Sequence, residues 1–196
     1  NPISDAVDWL IRGLESVLGW MPWFGFVALS VVGMWWVRGM VAGLLSGLAV
    51  ASFGLLEIWD ESIQTLALMG VAVVLTAAIG VPLGVLAARS DRAQRVIRPV
   101  LDTMQTMPGF VYLVPFVLLF GIGRVPALIS TMIFALPPIV RATDLGIREV
   151  PRETIEASTM FGATTRQTLS KVRLPLARPA ILVGANQTIN LAMSMV

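Results

Sequence analysis

The sequence predicts an all-α polytopic membrane protein with about six transmembrane helices and a helical insert on the cytoplasmic side. Only 13% of its residues are charged, against 56% that are hydrophobic, whereas a soluble domain uses about 25% charged residues. The apolar residues also lie in long uncharged blocks rather than in the periodicity of a soluble amphipathic fold. The mean hydropathy of +0.81 reflects these blocks.

Six blocks approach the ~20 residues that a helix needs to cross a membrane. They cover residues 20–37, 40–56, 62–88, 103–123, 125–140 and 179–196. The shortest, 125–140, is expected to continue as a helix into the polar stretch 141–150. Block 62–88 is long enough to tilt or to protrude from the bilayer. We therefore divide the chain into an external amphipathic segment (1–19), two N-terminal transmembrane helices (20–61) and a core (62–196).

The basic residues predict the orientation in the membrane. When successive loops are assigned to alternate sides, twelve of the 14 Lys and Arg residues fall on one side, and only Arg12 and Arg124 fall on the other. Lys and Arg in short loops stay in the cytoplasm. The N-terminus is therefore expected outside, and both the loop from Arg89 to Arg98 and the basic region from Arg141 to Arg178 are expected inside. The high pI of about 9.9 follows from these loops and does not indicate nucleic-acid binding.

The residue content excludes several chemistries. The chain has no Cys and no His, which excludes disulfides, Cys/His-ligated zinc or haem and the commonest general base. No metal site is predicted. A P-loop ends in Gly-Lys-Ser/Thr, but Lys171 lies in Ser-Lys-Val, so we expect no ATP hydrolysis by this chain. An intramembrane protease is rejected because Ser46-Gly47 lacks the leading Gly of a nucleophile motif and has no His or Cys partner.

The stretch 151–175 predicts a helix, a glycine turn and a second helix. Pro151 suits the start of the first helix, and Gly162 suits its end. Thr164 and Gln167 have the spacing of a capping box. The second helix is expected to run to about Arg173, with a bend at Pro175 and Pro179 into the last membrane block. Taken alone, this pattern also fits a helix pair that lies on lipid headgroups.

The spacing within this stretch resembles the E-A-A-x3-G-x9-I-x-L-P motif of permease subunits of ABC importers. Ser replaces the second Ala, and Val replaces Ile. The matching residues are Glu156, Ala157, Ser158, Gly162, Val172, Leu174 and Pro175. The resemblance implies a type I ABC importer permease fold in which this insert is the coupling helix that docks on an ATP-binding subunit.

Three further stretches narrow the resemblance to ProW-like permeases of glycine betaine/proline betaine importers. They are "QTMPGFVYLVPFVLLFGIGRVPALI" (105–129), "LPPIVRATDLGIREVP" (136–151) and "NQTINLAMSM" (186–195). The likeness implies a permease homodimer in a bacterial cytoplasmic (inner) membrane, two ATP-binding subunits that carry ATP and Mg, and an external betaine-binding protein. No cofactor is expected on this chain. The family continues beyond a sixth helix, so we expect the core to be incomplete at its C-terminus.

Polar residues within membrane blocks are costly, and they usually face a water-filled cavity or a neighbouring helix. The candidates for a solute pathway are Gln105, Thr106, Tyr112, Asn186, Gln187 and Asn190. Pro108-Gly109 predicts a break in the fourth helix, where irregular backbone often lines a cavity. The alternative role for each residue is an interhelical hydrogen bond.

Two other functions stay open from the sequence. The solute of an ABC importer permease could be an amino acid, choline or a similar small molecule. A secondary transporter would need an ion-coupling charge in mid-membrane, and none of the six blocks carries one.

Overall fold

A computed structural model describes residues 2–196, and the regular elements in that range are all helices. The helices are α1 (Pro2–Gly19), α2 (Trp23–Arg38), α3 (Met40–Leu55), α4 (Trp59–Arg89), α5 (Asp91–Thr106), α6 (Gly109–Phe120), α7 (Arg124–Arg148), α8 (Arg152–Met160), α9 (Thr165–Thr168) and α10 (Leu174–Met195). A π-helical segment, Leu169–Arg173, joins α9 to α10. Asn1, the first residue of the predicted external segment, lies outside the described residues. The all-α fold is confirmed.

The chain forms two compact units, one up to Val71 and one from Ala72 onward. In the first unit, α2 and α3 pack against each other where Gly43 and Gly47 are buried. A Cβ added at Gly43 would lie 2.7 Å from the Val31 carbonyl oxygen, so only glycine permits this approach. Helix α1 confirms the predicted helical N-terminal segment and buries Ile11 completely. Its external position stays a prediction.

Helix α7 is the most buried helix of the second unit, and α10 packs along it. A Cβ added at Gly184 of α10 would lie 2.5 Å from the Ala142 Cβ and 3.2 Å from the Pro138 carbonyl oxygen. Thr188 is fully buried, and its hydroxyl donates to the Ala135 carbonyl at 3.1 Å. Close approach of two helices at a glycine and a hydrogen bond from a hydroxyl to the other helix are features that hold membrane helices together.

Gly80 and Gly84 of α4 lie in close contact with α7. A Cβ added at Gly84 would lie 2.5 Å from the Thr143 Cβ and 2.7 Å from the Val140 carbonyl oxygen. Thr143 is fully buried, and its hydroxyl donates to the Ile139 carbonyl one turn earlier at 2.7 Å. This bond within the helix satisfies the hydroxyl in an apolar environment.

Helices occupy all six predicted blocks, but they differ in how well each would cross a membrane alone. Within residues 2–196, α4 and α7 qualify singly by length and composition, and two bent pairs, α1 with α2 and α5 with α6, each qualify together as a broken span or a re-entrant loop. This criterion gives two to four candidate spans, against the six that the sequence predicts. Helix α3 has 16 residues, about 24 Å of helix, which is shorter than the ~30 Å hydrocarbon core. The extension of block 125–140 into residues 141–148 is confirmed by α7.

One boundary differs from the prediction. The predicted loop 89–98 is mostly helical, because the Ser90 side chain caps α5 by accepting the Ala93 amide at 3.3 Å. Residues 103–106 of the fourth block therefore continue α5, and α6 covers residues 109–120 after the predicted break at Pro108-Gly109. Helix α10 includes both Pro175 and Pro179, so neither proline ends it, and the bend predicted there stays a prediction. Pro175 lies in the first turn, where a helix tolerates Pro, directly after the π-helical segment Leu169–Arg173.

Candidate functional site

The insert between α7 and α10 has a rigid local structure. Helix α8 ends in a Schellman motif, in which the Gly162 amide donates to the Thr159 carbonyl at 2.9 Å and the Ala163 amide donates to the Ser158 carbonyl at 3.0 Å. Gly162 has φ +81°, a left-handed conformation that favours glycine. The predicted glycine turn is confirmed.

The predicted capping box is also present. The Gln167 amide donates to the Thr164 hydroxyl oxygen at 3.3 Å, and the Thr164 amide donates to the Gln167 side-chain oxygen at 2.8 Å. Each bond satisfies an amide that the start of α9 would otherwise leave unpaired. The turn from α8 to α9 is therefore fixed on both sides by bonds within the insert.

The motif residues divide into an outer and an inner group. Glu156 and Ala157 are exposed on α8. Ser158 is half-buried and lies 3.2 Å from the Thr168 hydroxyl, so it links α8 to α9. Leu174 packs against a buried cluster outside the insert, and Val172 and Pro175 are half-buried. The second half of the motif therefore packs against the rest of the chain, whereas the first two motif residues are exposed.

Two large apolar side chains stand at the tip of the insert. Met160 is 88% exposed and Phe161 is 92% exposed, directly before the left-handed glycine. Sequence reasoning missed this pair. The sequence did contain a sign of it, because the apolar dipeptide Met160-Phe161 lies between the polar residues of α8 and the glycine turn. An amphipathic helix would be expected to end there on a polar residue. The two side chains therefore form an exposed apolar surface on a turn that local hydrogen bonds hold in place.

The predicted break in the fourth block is confirmed, and the axes of α5 and α6 meet there at 93°. The Tyr112 hydroxyl donates across the break to the Met104 carbonyl at 2.7 Å, so this hydroxyl braces the bend. Gln105 and Thr106 are exposed at the end of α5. Thr106 donates only to the carbonyl of Thr103 in its own helix, at 2.8 Å.

The three polar candidates on α10 lie on its exposed side. Asn186, Gln187 and Asn190 are all exposed, whereas Gly184 and Thr188 on the other side are buried against α7. Within the described part of the chain, these three side chains and that of Gln105 form no hydrogen bond with another helix. No hydrogen bond therefore joins the α5 and α10 candidates within residues 2–196, and their role as pathway residues stays a prediction.

Charged side chains line a cavity of about 310 Å³ between α5 and α7. Arg141 pairs there with Asp102. Arg148 contacts Asp91 and Asp144, each at 2.8 Å. Asp102 lies in the fourth turn of α5, which begins at residue 91. In residues 2–196 no group of three or more acidic side chains is placed to hold a metal ion.

A family profile described as "Binding-protein-dependent transport system inner membrane component" matches residues 80–195. The glycine betaine/proline betaine transport system permease protein ProW of Escherichia coli is 48% identical over 190 residues, which are 97% of this chain and 54% of ProW. The glycine betaine transport system permease protein OpuAB of Bacillus subtilis is 42% identical over 99% of this chain and 69% of its own length. The chain thus spans about half the length of ProW.

A solved structure of the MetNI methionine ABC transporter in an inward-facing conformation shares the fold. It aligns with a TM-score of 0.60 and 28% sequence identity, over 67% of this chain and 67% of that one. The fold expected from the motif, that of an ABC importer permease, is therefore confirmed.

Proposed function

The chain belongs to the family of binding-protein-dependent transport system inner membrane components, and from that membership we propose that it is the permease of an ATP-driven importer for glycine betaine, proline betaine and similar compatible solutes. The names of the relatives support the solute class. The single structural observation that carries the proposal is the rigid insert with Met160 and Phe161 exposed at its tip. This surface is where an ATP-binding subunit docks.

The physical properties of the tip suit docking. Burial of a Met or Phe side chain against a partner contributes about 1.5–3 kcal/mol. The Schellman motif and the capping box fix the turn before the partner arrives, which lowers the entropy lost on binding. A lipid-surface helix pair would instead need apolar side chains along one face of both helices, but the exposed apolar residues of the insert lie at the turn.

The rest of the assembly follows from the same proposal. ATP and Mg bind to two ATP-binding subunits, and this chain has no P-loop of its own. Two copies of the permease form the pathway in the bacterial cytoplasmic membrane, with the N-terminus outside and the insert in the cytoplasm. An external binding protein delivers the solute. The orientation rests on the distribution of the basic residues.

The pathway is proposed to run along the exposed side of α10 and past the broken helix α5–α6. Asn186, Gln187 and Asn190 offer neutral polar groups, as do Gln105 and Thr106 at the break. Neutral groups suit a zwitterion, because they solvate both of its charges without holding either one tightly. Tyr112 contributes its aromatic ring, since its hydroxyl is used in the brace to Met104.

Uptake of labelled glycine betaine by cells that lack their own betaine uptake tests this function. The cells carry the complete permease with its ATP-binding subunit and binding protein. We expect uptake that requires the ATP-binding subunit and persists after the proton gradient is dissipated. Uptake of an amino acid or choline in place of betaine would contradict the solute. Uptake that follows the gradient without the ATP-binding subunit would contradict the mechanism and favour a secondary transporter.

A further inference from the structure

One side chain joins three helices where α7 ends. Arg148, the last residue of α7, donates from Nη2 to the Ala87 carbonyl of α4 at 2.7 Å and from Nη1 to Asp91 of α5 at 2.8 Å. Its Nε donates to Asp144, one turn earlier in α7, at 2.8 Å. Gln94 of α5 donates to the second oxygen of Asp144, also at 2.8 Å. Arg148 therefore holds the corner at which α4 turns into α5.

The geometry requires a guanidinium group. Ala87 lies in the last turn of α4, where carbonyls have no partner within the helix and a positive charge is favourable. Asp91 lies in the first turn of α5. Three nitrogens in one plane reach three acceptors on three helices, whereas a Lys ammonium is a single point of charge on a flexible stem. The Asp91 carboxylate is 83% exposed, so that pair alone would be weak, and the arrangement depends on all three bonds.

The C-terminal part of the insert, where the chain enters α10, contacts the same corner through apolar residues. Ala88 of α4, Ile147 of α7 and Ala177 of α10 form a buried cluster. Leu169 of the π-helical segment and Leu174 at the start of α10 pack against it. The insert is therefore attached to the end of α4 on both sides, by a polar contact where the chain leaves α7 and by an apolar contact where it enters α10.

We infer that Arg148 is a positioning residue that transmits movement of the insert to the broken helix α5–α6. Helix α8 begins four residues after Arg148, and α5 runs without interruption from Asp91 to the 93° bend. A displacement of α8 by the docked subunit pulls on Arg148. It thereby moves the start of α5 and the exposed polar residues at the bend. The Arg141–Asp102 pair, farther along the same two helices, makes α5 follow α7 as one body. This inference rests on the proposed function.

The test compares Arg148→Lys with Arg92→Lys in the complete transporter, reconstituted with its ATP-binding subunit and binding protein. Arg92 is exposed in the first turn of α5, so its replacement is a matched control for charge and location. We expect Arg148→Lys to assemble and hydrolyse ATP, while the solute transported per ATP falls about fivefold or more. Arg92→Lys is expected to keep the wild-type ratio. A second variant, Asp91→Asn, neutralises the acceptor on α5 and so weakens only that contact, and it is expected to lower the ratio by a smaller factor.

The outcomes separate this inference from the proposed function. An unchanged ratio in both Arg148→Lys and Asp91→Asn, with the wild type importing solute at the expense of ATP, would overturn the inference alone. Absence of ATP-dependent import by the wild type would overturn the proposed function and the inference with it. If Arg148→Lys fails to assemble, Asp91→Asn decides, because the exposed Asp91 side chain is not needed to bury any group. An unchanged ratio in that variant would then overturn the inference.

Discussion

The α7–α10 interface and the tip of the insert both contain apolar residues, but they differ in what covers them. At the interface Gly184 lies buried against Ala142. At the tip Phe161 and Met160 are almost fully exposed on a turn whose backbone amides from Phe161 to Thr164 are bonded within the insert. A contact completed within the chain indicates a structural role. An apolar surface that the chain holds rigid and leaves open in a polar loop indicates a partner.

The largest effect is expected where the chain covers its own contact. Gly184→Leu should destabilise the folded permease by about 1–3 kcal/mol or more, because the neighbouring Pro138 carbonyl belongs to the backbone of α7 and cannot move aside. The yield and thermal stability of purified protein measure this loss. Gly33→Leu is the control, since a Cβ added at Gly33 meets nothing within 4 Å. Equal stability of the two variants would contradict the close α7–α10 packing.

The next effect is expected at the tip. Replacing Met160 and Phe161 together by Ser should leave the stability of the permease unchanged, because neither side chain is buried. Affinity for the ATP-binding subunit should fall by about 100-fold, which corresponds to about 3 kcal/mol. Titration of the purified subunit against permease in detergent measures it. Thr154→Ala, at an exposed position on α8, is the control. Unchanged affinity for the ATP-binding subunit would show that this subunit does not dock on the tip.

A smaller effect is expected from the turn itself. Gly162→Val forces a β-branched residue into φ +81°, which costs about 1–2 kcal/mol and displaces the tip. Binding of the ATP-binding subunit should weaken about tenfold, with uptake reduced in parallel. Gly162→Asn is the matched variant, because Asn tolerates this conformation, and it should retain most of the binding. Normal uptake by Gly162→Val would show that the tip need not be held in this position.

The smallest effect is expected on the open side of α10. Asn190→Leu should lower betaine uptake roughly twofold to tenfold without changing binding of the ATP-binding subunit, if Asn190 solvates the passing solute. Met193→Leu, also exposed on α10, should not change uptake. Intact uptake by both variants would assign Asn190 a structural position against lipid or a second permease.

Local signals in the sequence predicted much of the insert and the break. The glycine turn at Gly162 and the Thr164 capping box depend on residues within five positions of each other, and both are present. The start of α5 was missed because its charged residues suggested a loop, although Ser90 is a suitable N-cap. Charge alone does not exclude a helix that lies along the membrane surface.

Contacts between distant parts of the chain were beyond local reasoning. Arg148 meets Asp91 and Ala87 from 57 and 61 residues away, so its sequence neighbours give no sign of the contact. Ser158 is a second example, because the motif spacing gives no sign that its hydroxyl faces Thr168, ten residues away within the insert. The exposure of Phe161 is likewise decided by the path of the whole turn rather than by its hydrophobicity.

Site-directed cross-linking from the tip tests the central claim most directly. Residues 1–196 contain no Cys, so Phe161→Cys introduces a single thiol into this part of the permease, and Ser52→Cys, exposed near the end of α3, serves as the control. In inverted membrane vesicles with the assembled transporter, a bifunctional thiol reagent should join position 161 to the ATP-binding subunit and leave position 52 unjoined. Transport-competent vesicles in which position 161 never cross-links to that subunit would contradict the assignment of the insert as its docking site.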